Sequence, residues 1–251
     1  MSSQPYSPVT QLNYQNNKVK GTEIQNVDFC KGCNHNCESC FALRNSFKTR
    51  KDFSIITKVT RVIGKANPNF VYRLGNCGDP AHDWLHSETK AKECNITNMF
   101  CVTKLQSVEG FTGYFTRLQV SVDPFNPKHF AKTLKNVEHI LKNYPQVQIV
   151  LRIRSFSSNN ETLTKRQQEA VVFANKHRLP VLETRVRFRR QQESVERYDL
   201  NTESYQNRKG YLRPNVGSRF LKNVKKHFTC DLTGKSCKGC KNCINIWKEA
   251  A

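Results

Sequence analysis

The chain has 251 residues, 37% of them hydrophobic, with 41 Lys and Arg against 20 Asp and Glu, a formal charge of +21. That length supports one large core, or one core with a small appendage, and excludes three domains. The charge points to phosphate-rich partners first and an anionic membrane surface second, while the absence of any apolar run of bilayer length argues against a membrane span.

The opening MSSQPYSPVTQLNYQNN lacks the basic-then-apolar order of a secretory signal, so a cytoplasmic protein in a reducing compartment is expected. Residues 1–21 read as a flexible polar leader. A strand is predicted over 22–29 and a helix over about 38–50, while residues 53–65 fit neither period. Strands follow at 70–75, 98–104, 117–122, 147–154 and 180–188, with helices near 84–94, 127–143 and 161–177. Phe130, Leu134, Val137, Ile140 and Leu141 recur at helical spacing, as do Leu163, Ala170, Val171 and Ala174. Six strands alternating with helices are the signature of a parallel sheet. No GxGxxG follows the first strand, so a dinucleotide-binding half is poorly supported.

The later strands alternate in polarity. Arg152 and Arg154 oppose Leu151 and Ile153; Ser121 and Asp123 oppose Val120 and Val122; Glu183, Arg185, Arg187 and Arg189 oppose Thr184, Val186 and Phe188. If helices cover the apolar face, the arginines point into a lumen that needs an anionic ligand; edge strands with a solvated face are the alternative. The expected architecture is α/β, an open (βα)6 partial TIM barrel over 22–190, with residues 191–251 forming a short C-terminal metal-binding extension.

Eleven cysteines, odd in number and bunched, argue against a disulfide framework and for metal ligands or redox centres. Four lie within 30–40: Cys30, Cys33, Cys37 and Cys40. Two CxxC pairs separated by three residues are cramped for a tetrahedral zinc and suit a cubane iron–sulfur cluster better, with zinc as the alternative.

The spacing Cys33-x3-Cys37-x2-Cys40, after the first strand of an alternating βα pattern, resembles the radical SAM superfamily. The resemblance implies that these three cysteines hold a [4Fe–4S] cluster whose fourth iron takes S-adenosylmethionine (SAM), with an external electron donor. Gly75-Asn76-Cys77-Gly78-Asp79-Pro80 is similar to the family's glycine-rich segment ending the second strand, which implies contact with the methionine end of SAM. Cys40-Phe41-Ala42, this GDP segment, VTK, VSVD and a C-terminal CxxCxxC followed by Trp247 together resemble a radical-SAM-like group of phages and plasmids. The chain departs from the superfamily at Ser39, where an aromatic is common, at Asp79, where Glu is usual, and in the extra Cys30. A cluster that also used Cys30 would be closed to SAM.

At the other end, Cys230, Cys237, Cys240 and Cys243 supply four thiols amid turn-forming residues, and fit either zinc or a second [4Fe–4S] cluster that staples the tail. Between Ser204 and Cys230 there is no acid, and Tyr205, Tyr211, Phe220 and Phe228 interleave with seven basic residues, as on a nucleic-acid surface or on a merely solvated face. The expected function is a radical SAM-like enzyme acting on a phosphorylated or nucleic-acid substrate. Ser121, Arg152 and Arg154 are candidates for the ribose and carboxylate of SAM, and Arg185 and Arg187 for substrate phosphate. The alternative is a non-catalytic, zinc-bound nucleic-acid-binding protein.

Overall fold

The computed structural model describes residues 9–12, 23–35, 37, 50–186, 188, 191–208, 211–214, 219–224, 226–230 and 242–250. Seven strands form its main sheet: β1 (Ile24–Val27), β2 (Val71–Leu74), β3 (Met99–Thr103), β4 (Arg117–Val122), β5 (Gln148–Ser155), β6 (Val181–Arg185) and β7 (His227–Cys230). Every neighbouring pair is parallel and strand order follows chain order. The sheet curls into a half-barrel, so the α/β class and the partial-barrel shape hold.

The helices are α1 (Arg50–Ser54), α2 (Trp84–Glu93), α3 (Pro127–Asn143), α4 (Glu161–Lys176), α5 (Gln191–Tyr198) and α6 (Asn242–Ala250). No described helix is long and apolar enough to cross a membrane. Local chemistry sets the starts of the two long crossover helices. The Asn126 side chain accepts from His129 N and Pro127 occupies the first turn of α3; the Asn160 side chain likewise accepts from Leu163 N at the start of α4. Their predicted apolar stripes, Phe130, Leu134, Val137 and Ile140 on α3 and Leu163, Ala170, Val171 and Ala174 on α4, are buried. Most of these residues meet Leu118, Val120, Val122, Ile149, Leu151 and Ile153 in one core on the outer face of the sheet. Each fully buried aliphatic side chain there contributes about 1.5–3 kcal/mol.

The architecture departs from six regular βα units in two ways. The connection from β3 to β4 has no helix; its loop packs through Phe111 and Phe115 on Trp84, with ring centroids 5.0 and 5.6 Å apart. In addition, β7 adds a seventh strand beyond residue 190, paired to β6 through Val181↔His227 and Thr184↔Cys230. Sequence inspection misses it because HFTC is short and sits in a basic run. The helix expected over 38–50 falls outside the described residues except at its last position.

The inner face carries Arg73, Phe100, Val102, Gln119, Ser121, Val150, Arg152, Arg154, Leu182 and Thr184. Its register is fixed by Ser121↔Arg152↔Leu182 and Arg154↔Thr184. Ile246 and Trp247 of α6 pack on Phe100, Val150 and Leu182, so α6 lies in the lumen against the N-terminal half of the strands. The face expected for Arg185 is not the one observed. Arg152 pairs with Leu182 and donates to Thr184 Oγ1, which puts Leu182 and Thr184 inside and Val181, Glu183 and Arg185 on the other face. Glu183 is satisfied there by His227 at 3.1 Å, so a charged residue occupies the side that alternation alone reserves for apolar ones.

Candidate functional site

A cavity of about 230 Å³ opens at the C-terminal ends of the first five strands. Cys33 and Cys37 reach it from the β1–β2 connection, Gly75, Asn76, Cys77, Gly78 and Asp79 from the end of β2, Thr103 and Lys104 from β3, Ser121 from β4, and Arg152 and Arg154 from β5. Sites in parallel α/β sheets form at this edge because the loops there converge while the strands hold them rigidly. The structure therefore brings together both described motif cysteines and the whole Gly75–Asp79 segment. Cys40 lies outside the described residues, as do Arg187, Cys237 and Cys240.

Backbone approach shapes the wall. Gly75 has φ +86°, and a Cβ there would lie 1.9 Å from Val102 O; at Gly78 a Cβ would lie 1.7 Å from Cys30 O. Only glycine allows the β2 turn to lie this close to β3 and to the cysteine loop. Beneath it the Asp28 carboxylate accepts from Asn76 N at 2.7 Å and Cys77 N at 3.0 Å. Burial raises its pKa to about 6 despite those bonds.

Asp79 is the tie between three loops. It accepts from Ala81 N, Thr103 Oγ1, Lys104 N and His35 Nε2 at 2.9, 2.6, 2.7 and 3.2 Å. Burial opposes its ionisation, but these partners and the His35 and His82 rings outweigh it and bring the pKa down to about 2. Both oxygens are thus engaged by protein, and Asp79 holds its own segment against β3 and the cysteine loop. Polar residues of α3 hold the next loop: Thr133 Oγ1 donates to Lys104 O and Asn136 Nδ2 to Leu105 O.

The cysteines separate by environment. Cys30 is 3% exposed, does not line the cavity, and has its Sγ 3.7 Å from Ser87 Oγ on α2; burial pushes its thiol up to about 11. Cys33 and Cys37 face the cavity instead. His35 and His82 stack with centroids 4.8 Å apart, and the ligand atoms of Cys33, His35 and His82 all lie within 4.8 Å of one another. This thiol–imidazole group fits a metal ion in donor chemistry. Among the described cysteines of this loop, Cys33 and Cys37 face the cavity and Cys30 does not.

Charge lines the opposite wall. Lys104 Nζ lies 3.2 Å from Asp123 Oδ2. Burial would raise the Asp123 pKa, but Lys104, Arg154 and the Phe125 N–H hold it well below the usual carboxylate range. Arg73 Nη2 donates to Asn76 Oδ1 at 2.8 Å and Arg152 Nε to Thr184 Oγ1 at 3.0 Å. Burial lowers the Arg152 pKa, countered by the Cys230 and Cys243 thiols.

Those two C-terminal cysteines are hydrogen-bonded to each other on the inner face, beside Val102 and Phe228. That bond and burial push Cys243 up. The start of α6 is pinned there by Asn242 Nδ2 donating to Thr229 O at 2.8 Å. The cysteine-rich segment is thus anchored to the sheet at both ends.

The aromatic residues expected on a basic surface are packed instead. Tyr205 is buried beside Phe156 and Phe188 with its hydroxyl on Ser157; Phe220 packs on the main core and Phe228 on the α6 cluster. The Tyr211 side chain lies outside the described residues. Sequence reasoning missed His35, His82, Arg73 and Asp28. His35 lies inside the cysteine motif and His82 three residues past Asp79, so proximity to the motifs was the available signal; Arg73 was legible only as the polar residue alternating between Tyr72 and Leu74. Comparison with protein-family models, curated proteins and solved structures finds no match to this chain.

Proposed function

We propose that this chain is a radical SAM-like iron–sulfur enzyme acting on a phosphorylated or nucleic-acid substrate. The observation that carries the reading is the meeting of Cys33, Cys37 and the Gly75–Asp79 segment in one cavity at the C-terminal edge of a curled parallel sheet. In this reading Cys33, Cys37 and Cys40 hold a [4Fe–4S] cluster, which when loaded supplies one-electron chemistry to SAM. The glycine-rich segment brings backbone polar groups to the methionine end, Asp79 fixes that segment against β3, and Ser121 and Arg154 offer a hydroxyl and a guanidinium to ribose and carboxylate. Cys30 stays a protonated, buried thiol. The apolar floor of α6 keeps water from entering from below. A second metal, zinc or [4Fe–4S], belongs to Cys230, Cys237, Cys240 and Cys243.

The test is anaerobic purification with iron, sulfide and zinc analysis and equilibrium dialysis against SAM. A brown protein that binds SAM is expected; Ala at Cys33, Cys37 or Cys40 removes iron and SAM binding, and Cys30→Ala keeps both. Loss of the cluster in Cys30→Ala overturns the three-ligand site. The Cys33, His35 and His82 group favours a second reading, a colourless non-catalytic zinc protein that binds nucleic acid. Zinc lost on His35→Ala and His82→Ala, with no SAM binding by the parent, would establish the metal half of that reading.

A further inference from the structure

The cavity holds more positive charge than its own carboxylates balance. Lys104 meets Asp123 and His35 meets Asp79, each at 3.2 Å. Among the described residues, Arg73 and Arg152 donate only to the neutral oxygens of Asn76 and Thr184. Among the described residues no carboxylate lies within ion-pair distance of either guanidinium. The inner-face donor Arg73 Nε is buried with no protein acceptor among the described residues. A buried donor is costly unless paired, and half-buried guanidinium groups without a carboxylate attract anions, so such a group points to an acceptor that arrives from outside.

We infer that Arg73 and Arg152 bind the dianionic terminal phosphoryl group of the substrate. This rests on the cavity being the reaction site proposed above. SAM does not satisfy the same charge: it brings one carboxylate, enough for one guanidinium, together with a positive sulfonium. An internal phosphodiester brings a single charge. A terminal phosphoryl group brings up to two charges and three oxygens, which match the forked donors of two or more guanidinium groups.

The experiment follows the thermal midpoint of the full chain at fixed ionic strength against inorganic pyrophosphate. A second arm uses a short single-stranded oligonucleotide without terminal phosphate. Pyrophosphate raises the midpoint of the parent. In the Arg73→Met, Arg152→Met double variant the apparent affinity falls roughly ten- to hundredfold, the loss expected for charge-assisted hydrogen bonds. Without anion the double variant melts at or above the parent temperature, because guanidinium groups that repel each other and Arg154 have been removed. Arg152→Lys, which keeps charge but not the fork, loses less affinity and serves as the milder variant if the double one does not fold.

Equal pyrophosphate binding by parent and double variant, no shift in the parent, or protection by the oligonucleotide alone overturns the assignment. A double variant that folds but melts below the parent without anion also overturns it, since the guanidinium groups would then hold the fold. Iron and sulfide are measured on the same samples. A protein that binds pyrophosphate but carries no cluster sinks the radical SAM reading and leaves this site standing; a clustered protein that ignores pyrophosphate does the reverse.

Discussion

Toward their N-terminal ends the strands wall the lumen with Phe100, Val150 and Leu182, and Ile246 and Trp247 close it. At their C-terminal ends the same strands present Val102, Ser121, Arg152 and Arg154 to an open cavity. Both sets lie on one face of one sheet, two to four residues apart along each strand. Stability and chemistry are therefore divided by height in the lumen, and the packed lower half is what allows charged groups in the upper half to be held without collapse.

The largest effect should come from breaking the lower half. Trp247→Ala removes a side chain that is 6% exposed, and a loss of about 3–5 kcal/mol in urea unfolding is expected. Next comes Asp28, under the upper half. Its folded pKa of about 6 lies above the ordinary 3.8. Between those values the native state keeps a proton that the unfolded chain has released, so stability falls as pH rises through that window and levels above it. The total change is on the order of 3 kcal/mol. Unfolding midpoints at several pH values check this, with Asp28→Asn flattening the dependence and a carboxyl titration by NMR centred near 6.

A smaller loss, roughly 1–3 kcal/mol, is expected for Gly78→Ala, whose added methyl must push the cysteine loop away. Metal content should fall with it, and a variant that keeps both stability and metal would show that the loop does not need this approach. The smallest effect marks the distance from the lumen: Lys165 and Glu161 form an exposed pair on α4, and Lys165→Ala should change unfolding by at most about 0.5 kcal/mol.

The helices of the outer face were legible because their apolar residues repeat with the helical period and their caps are Asn126 and Asn160. The cavity was legible where chemistry and backbone need coincide, at Cys33, Cys37, Gly75 and Gly78. Alternation along β6 was misleading because it shows which residues share a face, not which face is inside; the pairing of Glu183 with His227 decides that, and the two residues lie far apart in the chain. For the same reason the lumen position of α6 was hidden: nothing local in NCINIW says that Trp247 meets Phe100. Histidines between cysteines were overlooked because a thiol motif draws attention to sulfur alone.

Strand order that follows chain order has a consequence for synthesis. As a chain emerges at about 5–20 residues per second, each new strand finds its neighbour already in place, so the sheet can be laid down in the order of translation. The floor cannot. Trp247 reaches back to Phe100 and Val150 only after β7 has been made. Until then the apolar inner wall of Phe100, Val150 and Leu182 lacks its cover. How long that wall stays bare is set by the ribosome, and the exposure ends when α6 arrives.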